Sequence, residues 1–224
     1  MGMSPHQIIV GLDQALWEAG PNPVTDFADA LEFEGKPELP AKARAEWEAL
    51  RRFRDDLTKF LIRRNAAFIG GVAVRSFGGR VTATIEYEVL VQERLLKPIT
   101  SFLESQGATL KSTVEDTYTF RVTPCAIDFD VRVARNPLDR EALAKAKRAS
   151  FQRRPLKVVR PAWLAAMKIK AYAGRKGTKK GNQDREDFLG LIDSGSTTLD
   201  EVKVVLGRHW PDFLDLLHTI LAVH

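Results

Sequence analysis

The chain has 224 residues, of which 44% are hydrophobic and 28% charged, and its formal net charge is +5. This composition excludes a disordered or fibrous chain. No apolar run approaches the ~20 residues needed to cross a bilayer, so we expect no membrane partner. The single cysteine excludes an intrachain disulfide. Together with an N-terminus that lacks a secretory signal pattern, it predicts a cytoplasmic protein.

The first 64 residues predict a helical N-terminal extension. Apolar residues recur at helical spacing from Ile8 to Trp17, and Gly20-Pro21-Asn22-Pro23 ends that segment. Thr25 can cap a short second helix through Leu31. A longer helix is predicted over 41–64, with one apolar side and one charged side.

Strands dominate from Ala66 to about residue 160, which predicts an α/β core over 65–160. The strands are expected at 67–69, 80–92, 109–114, 117–122, 126–134 and 156–159, and the helices between them at 72–76, 96–105 and 136–148. The remainder, 161–224, predicts a helical C-terminal part with helices at 162–172, 184–192, 199–207 and 211–222. The fold class predicted is therefore α+β, with a central mixed sheet flanked by helices.

The segment with the clearest chemical character is the alternating strand that contains Glu86-Tyr87-Glu88. Side chains alternate faces along a strand, so Glu86 and Glu88 share a face, together with Thr82 and Thr84. The two carboxylates are then about 6–7 Å apart along the strand. Two like charges at that distance favour a cation between them, and Mg²⁺ (or Mn²⁺) suits oxygen ligands. Hydration of an exposed strand face is the alternative.

Gly70-Gly71 lies upstream, between a strand and a short helix. Glycines at such a junction allow close approach of a phosphate, and the helix N-terminus presents free amides. A Gly-Gly pair is more often only a turn. The order strand, Gly-Gly, helix, Gly78-Gly79-Arg80, alternating strand is far more specific.

This order resembles the nucleotidyltransferases of the abortive-infection, type IV toxin group (AbiEii-like), within the polymerase-beta-like superfamily. The resemblance covers about residues 65–195 and aligns without a gap over 79–91. Glu86 and Glu88 stand where that group has aspartates, and Thr82 stands where it has a second arginine.

The resemblance also implies further site residues. A third carboxylate is expected at Asp128 or Asp130, two candidates on one strand face. A lysine that reaches the nucleotide phosphates is expected at Lys168, with Lys170 as the neighbouring alternative. We expect Asp184 and Asp187 to charge a helix N-terminus rather than to take part in the site. The residues implied to bind the nucleotide are Gly70, Gly71, Arg75, Arg80, Thr84 and Lys168.

The segment 174–181 carries four cations and predicts a flexible basic loop: Arg175, Lys176, Lys179 and Lys180. Such runs are usually solvated. Beside a nucleotide site they are also candidates for RNA binding, which would then weaken steeply with salt.

The function predicted from these features is Mg²⁺-dependent transfer of a nucleoside monophosphate from an NTP to an acceptor. The resemblance implies RNA, tRNA in particular, as the acceptor and an antitoxin protein as a partner. The alternatives are a catalytically degenerate protein that binds nucleotide or RNA, and a module that binds a partner protein. The degenerate alternative rests on Glu86 and Glu88, because glutamate is one methylene longer than aspartate. Displacements of about 1 Å in a catalytic site can cost ~100-fold in rate.

Overall fold

The structure is a computed structural model that describes residues 38–78, 87–125, 127–151 and 154–221. The helices predicted before residue 38, and the part of the predicted strand between 79 and 86, lie outside these ranges.

The described chain alternates helices and strands around one sheet. The elements are α1 (Glu38–Leu61), β1 (Ala66–Ile69), α2 (Gly70–Ser76), β2 (Tyr87–Val91), α3 (Glu93–Ser105), β3 (Ala108–Val114), β4 (Thr117–Val122), β5 (Ile127–Val133), α4 (Pro137–Lys145), β6 (Lys147–Phe151), β7 (Arg154–Val158), α5 (Pro161–Arg175), α6 (Lys179–Asp193), α7 (Leu199–His209) and α8 (Leu214–Leu221).

The seven strands form one mixed sheet in the order β3-β4-β5-β2-β1-β7-β6. The pair β2 and β5 and the pair β1 and β7 are parallel, and the other neighbours are antiparallel. The parallel pairs need long crossovers, which α3 and the β3–β4 hairpin supply for β5. The centre of the sheet therefore brings together strands that are distant in sequence.

The two faces of the sheet differ in chemistry, and β5 shows this most clearly. Phe129 and Val131 point to one face and are fully buried, whereas Asp128, Asp130 and Arg132 alternate with them on the other. The apolar face is covered by α1 and α3: Phe53 of α1 meets Phe129 edge to face with ring centroids 5.8 Å apart. We call the opposite side, which carries Glu88, Asp128, Asp130 and Arg132, the polar face.

Helices of the C-terminal half cover the polar face. Arg132 makes two hydrogen bonds to the fully buried carboxylate of Asp139 on α4, at 2.8 and 3.2 Å. Asn136 caps α4 by accepting from the backbone N–H of Asp139, and its amide donates to the same carboxylate. A buried carboxylate needs this full set of partners.

The chain leaves α4 earlier than predicted and forms a strand that the sequence pattern did not predict. The helix ends at Lys145, whose carbonyl accepts a 2.8 Å hydrogen bond from Arg160, and β6 then pairs with β7. The segment Lys-Arg-Ala-Ser-Phe lacks the apolar alternation of a half-buried strand. It is an edge strand, and edge strands commonly carry charges.

The predicted basic loop over 174–181 is also largely wrong. Helix α5 continues to Arg175 and α6 begins at Lys179, which leaves residues 176–178 between them. Thr178 caps α6 by accepting from the N–H of Gly181. A β-carbon on Gly181 would lie 2.1 Å from the carbonyl oxygen of Arg175, so only glycine permits this tight corner.

The other predicted elements agree with the structure to within a few residues, and the α+β class is confirmed. No helix within the described ranges has the length and apolar character required to cross a membrane.

Candidate active site

The candidate site lies where β2 and β5 run side by side on the polar face. Glu88 of β2 is the direct register partner of Asp130 of β5. Adjacent strands are about 4.8 Å apart, and both side chains point to the same face. Two carboxylates that are far apart in the chain are therefore neighbours in the fold.

Gly70 lies directly against the Glu88 carboxylate. Ile69, the last residue of β1, is the register partner of Glu88, and Gly70 follows with φ at +64°. A β-carbon at position 70 would lie only 2.5 Å from Oε2 of Glu88. Glycine is thus required here both for the backbone conformation and for the space that the carboxylate occupies.

The Glu88 carboxylate is held in an unfavourable environment for its charge. Burial raises the pKa of Glu88 above its usual range, and the nearby Asp130 adds to the rise, while Lys168 and Arg132 oppose it. The attraction of these two cations does not offset the loss of hydration. A further positive charge beside Glu88 and Asp130 would stabilise the ionised pair.

Lys168 of α5 faces this pair and is itself fixed by two buried carboxylates. Its ammonium lies 2.8 Å from Asp184 and 2.7 Å from Asp187, both on α6, and both acids are buried. Arg175 also contacts Asp184, at 3.2 Å. Burial alone would lower the pKa of Lys168, but Asp187 and Asp184 outweigh it, so the pKa is raised and the lysine stays charged.

This cluster corrects the expectation that Asp184 and Asp187 charge the start of a helix. Helix α6 begins at Lys179, and these acids lie in its interior, turned toward α5. Their spacing of three residues places them on one helix face. That spacing, combined with a lysine on a preceding helix, is the feature of the sequence that could have indicated the pairing of Lys168 with Asp184 and Asp187.

The two candidates for a third carboxylate have different surroundings. Asp128 forms ion pairs with Lys111 at 2.8 Å and Arg121 at 3.1 Å, and it lies two residues before Asp130 on β5. Its partial burial would raise its pKa, but hydrogen bonds from these two cations hold the pKa below its usual range. Asp130 is the one placed beside Glu88.

The structure also separates the two candidate lysines. Lys170 lies over the ring of Trp210, with its ammonium 4.5 Å from the ring centroid, whereas Lys168 acts electrostatically on Glu88. Arg132 is a neighbour of Glu88 that the sequence analysis did not assign to the site. Its place two residues after Asp130, on the same strand face, was the available signal.

The remaining predicted residues are placed as follows. Gly71 and Arg75 lie in α2, which starts at the site. Lys176, Lys179 and Lys180 are exposed at the corner between α5 and α6, and Lys180 acts electrostatically on Glu88. Arg80, Thr84 and Glu86 lie outside the described residues. Within the described ranges, no group of three or more His, Cys, Asp or Glu side chains is arranged to hold a metal ion.

Comparison with known proteins identifies the fold. The solution structure of the antibiotic-resistance factor ANT(2″)-Ia covers 80% of this chain and 95% of its own, with a TM-score of 0.53 and 11% identity. The crystal structure of ANT(2″)-Ia in complex with adenylyl-2″-tobramycin covers 74% of this chain and 98% of its own, with a TM-score of 0.55 and 12% identity. A crystal structure of an antigenic nucleotidyltransferase-like protein from Paracoccidioides brasiliensis aligns at 18% identity, over 81% of this chain and 92% of its own, with a TM-score of 0.45.

The two ANT(2″)-Ia similarities establish the fold as nucleotidyltransferase-like, as the sequence predicted. No protein-family model matches the chain, and no curated protein matches it.

Proposed function

We propose that the chain is a metal-dependent nucleotidyltransferase that moves a nucleoside monophosphate from an NTP to a hydroxyl acceptor. The observation that carries this proposal is the pairing of Glu88 with Asp130 on adjacent parallel strands, beside the Gly70 backbone. The nucleotidyltransferase-like fold supports it, although fold similarity alone does not determine an activity.

The donor chemistry of the pair fits Mg²⁺ or Mn²⁺. Both ions prefer carboxylate oxygens, and a divalent cation would compensate the repulsion and the lost hydration that raise the pKa of Glu88. Glu88 and Asp130 would hold the ion. Glu86, predicted on the same strand face, would be a third ligand. The bound ion would neutralise the charge that develops on the triphosphate.

The side chains of the protein would orient the substrate around this pair. Lys168 is kept charged by Asp184 and Asp187, so it is available to attract the anionic triphosphate. Gly71, next to the Gly70 that contacts Glu88, is proposed to let a phosphate approach the backbone at the start of α2. Arg75 is proposed to contact the nucleotide, together with Arg80 and Thr84. Catalysis of this kind depends mainly on positioning and electrostatics.

Of the two aspartates of β5, we propose that Asp130 belongs to the site. Asp128 is satisfied by Lys111 and Arg121 and serves the local structure. This assignment narrows the sequence-based choice between the two residues.

The acceptor proposed from the sequence resemblance is RNA, tRNA in particular, with Arg175, Lys176, Lys179 and Lys180 as contacts. Membership of the toxin group, and with it an antitoxin partner, stays a prediction. One structural neighbour, ANT(2″)-Ia, was crystallised with adenylyl-2″-tobramycin, so a small hydroxylated molecule is the acceptor class to compare with RNA.

A catalytically degenerate, nucleotide-binding protein is the second candidate. The substitution of glutamate for aspartate at 86 and 88 favours it, because the longer side chains displace both carboxylates. Such a protein would keep the fold, the charged Lys168 and nucleotide affinity without turnover.

Transfer of label from each α-³²P-labelled NTP tests the proposal. The purified chain is incubated with Mg²⁺ or Mn²⁺ and either total RNA or a panel of hydroxylated small molecules. We expect metal-dependent labelling that is lost in Glu88→Gln and in Asp130→Asn and retained in Glu104→Gln, a matched change at an exposed site on α3. Labelling that survives both site substitutions would refute the assigned roles, and saturable NTP binding without labelling would favour the degenerate protein.

A further inference from the structure

The second charged region of the molecule lies at the β6–β7 edge of the sheet and at the adjoining end of α1. The stretch from residue 142 to residue 183, which contains both strands, holds thirteen lysines and arginines and neither aspartate nor glutamate. Some of these cations lie on α5 and α6, where Asp184 and Asp187 compensate Lys168, and four of them lie on the two strands: Lys147, Arg148, Arg154 and Lys157.

On the hairpin itself, two cations face each other across the strands. Arg148 of β6 is the direct register partner of Lys157 of β7. Like charges placed opposite one another destabilise an antiparallel pair. Burial lowers the pKa of Lys157, and no carboxylate contributes to that shift. Among the residues that the structure describes, neither Arg148 nor Lys157 forms an ion pair.

The end of α1 continues this basic region. Lys157 donates a 2.8 Å hydrogen bond to Asn65, which directly follows Arg63 and Arg64 at the end of α1. An open cavity of about 650 Å³ is lined there by Lys59, Ile62, Arg63 and Arg64. Lys59 pairs with Asp56 at 3.3 Å. We call Arg63, Arg64, Arg148 and Lys157 the basic edge.

Arg64 adds a stacking surface to the basic edge. Its guanidinium lies 3.8 Å from the centroid of the Phe60 ring, and Phe60 is in turn stacked on Phe102 at 4.5 Å. Arg64 is an exposed residue. Unpaired nucleobases stack on arginine planes of this kind, whereas acidic peptides and lipid headgroups offer no such ring.

We propose that the basic edge binds a single-stranded nucleic acid, with Arg63, Arg148 and Lys157 contacting backbone phosphates and Arg64 stacking on a base. Asn65 lies four residues before Ile69, the register partner of Glu88, so the basic edge and the Glu88 and Asp130 pair lie at different ends of β1. The identity of the bound nucleic acid as the acceptor rests on the proposed function, whereas its binding does not.

Fluorescence anisotropy with a labelled 20-nucleotide RNA, and with DNA of the same sequence, tests the surface over a range of salt. We expect affinity to fall steeply with salt, because each phosphate contact on a single strand contributes a slope of about −0.7 in log K against log salt. The double variant Arg63→Glu, Arg148→Glu should bind at least 10-fold more weakly. The magnitude of its slope of log K against log salt should also be smaller by about 1.4, since two phosphate contacts are removed.

The matched control is Arg94→Glu with Lys97→Glu, two exposed cations on α3 that give the same change in net charge. It should bind within about twofold of the unchanged protein. Tighter binding of RNA than of DNA, or the reverse, identifies which strand the surface prefers.

An equal loss in both double variants would overturn the proposal, since it would reflect net charge alone. Absence of binding at low salt, or stronger association with anionic phospholipid vesicles than with either strand, would also overturn it. The label-transfer assay separates the two proposals. Binding at the basic edge without transfer would support the proposed surface and contradict the proposed activity. Transfer to a small acceptor without strand binding would support the activity and contradict the surface.

Discussion

Two groups of carboxylates on the polar side of the sheet, one buried and one half-buried, differ in how their charge is compensated. Asp184 and Asp187 are matched by Lys168 and Arg175 at hydrogen-bonding distances. Glu88 and Asp130 lie beside each other, and the cations near them do not restore the usual pKa of Glu88. The charges of the first group are compensated within the fold, whereas an additional cation would stabilise the ionised form of the second group. Carboxylates with perturbed pKa values of that kind often mark functional sites.

The largest expected effect concerns Glu88 itself. Glu88→Gln should reduce nucleotidyl transfer by about 1000-fold, because removal of a single electrostatic group from a catalytic centre commonly costs 10²–10³ in rate. The same substitution should leave the folded protein at least as stable at pH 8, since the buried charge is removed. Label transfer and thermal unfolding of the same preparation measure both. A protein that is inactive and also strongly destabilised would contradict the contrast between the two groups.

Unlike Glu88→Gln, Asp187→Asn should lower the free energy of unfolding. Loss of one partner leaves Lys168 buried with too little negative charge, and breaking a buried ion pair costs about 3–5 kcal/mol. Urea denaturation checks this value. Replacing the three residues together, with Lys168→Met, Asp184→Asn and Asp187→Asn, should recover much of the lost stability because no unpaired buried charge remains, Arg175 being exposed. Failure to recover would show that the cluster does more than neutralise itself.

Gly70→Ala should have a smaller effect on stability and a specific effect on the site. The positive φ at residue 70 strains any residue with a β-carbon, by about 1 kcal/mol. The added carbon would also displace the Glu88 carboxylate and reduce transfer by about 100-fold. Gly195→Ala is the matched control, because its φ is +67° and nothing lies within 4 Å of an added β-carbon. Equal losses of activity in both variants would mean that the contact with Glu88 is unimportant.

The pH dependence of stability should distinguish the two groups further. The pKa of Glu88 is raised in the folded state, so the folded protein binds more protons than the unfolded chain above the usual value of 4.5. Stability should therefore fall as pH rises from about that value through the raised pKa, relative to Glu88→Gln at each pH. Metal binding should strengthen over the same window, because the ion displaces the proton. A constant difference in melting temperature across this window would contradict the prediction.

The smallest effect is expected at Asp128. Asp128→Asn should reduce transfer by no more than a few-fold, because this carboxylate pairs with Lys111 and Arg121 rather than with Glu88. Its partially exposed ion pairs should contribute only about 1 kcal/mol to stability. Parallel assays of Asp128→Asn and Asp130→Asn provide the comparison, and a larger loss at Asp128 would reverse the assignment.

Local patterns were enough to predict much of the fold. The alternation in β5 and the apolar spacing of Leu50, Phe53 and Leu57 in α1 each follow from the period of one element. Strand β6 escaped prediction because its polar sequence carries no period, and it forms only because β7 is available as a partner. The division of the chain at residues 64 and 160 stays a prediction.

A candidate site could be proposed from sequence but not assembled. The strand order that surrounds Gly70 and Glu88 pointed to the region where the structure pairs Glu88 with Asp130. The choice between Asp128 and Asp130 depends on the register of β2 against β5, and the pairing of Lys168 with Asp184 and Asp187 depends on how α5 meets α6. Both are long-range contacts, so the local patterns suggest candidate residues without determining which of them pair.

The parallel pairing of β2 with β5 also has a consequence for how the protein folds. Glu88 and Asp130 meet only after α3 and the β3–β4 hairpin have formed and docked, because these elements make up the intervening chain. Contacts with such sequence separation form late and slowly. A nascent chain that has emerged only as far as β4 therefore carries Glu88 without its neighbour, and the ability to bind a metal should appear in one step, when β5 closes the centre of the sheet.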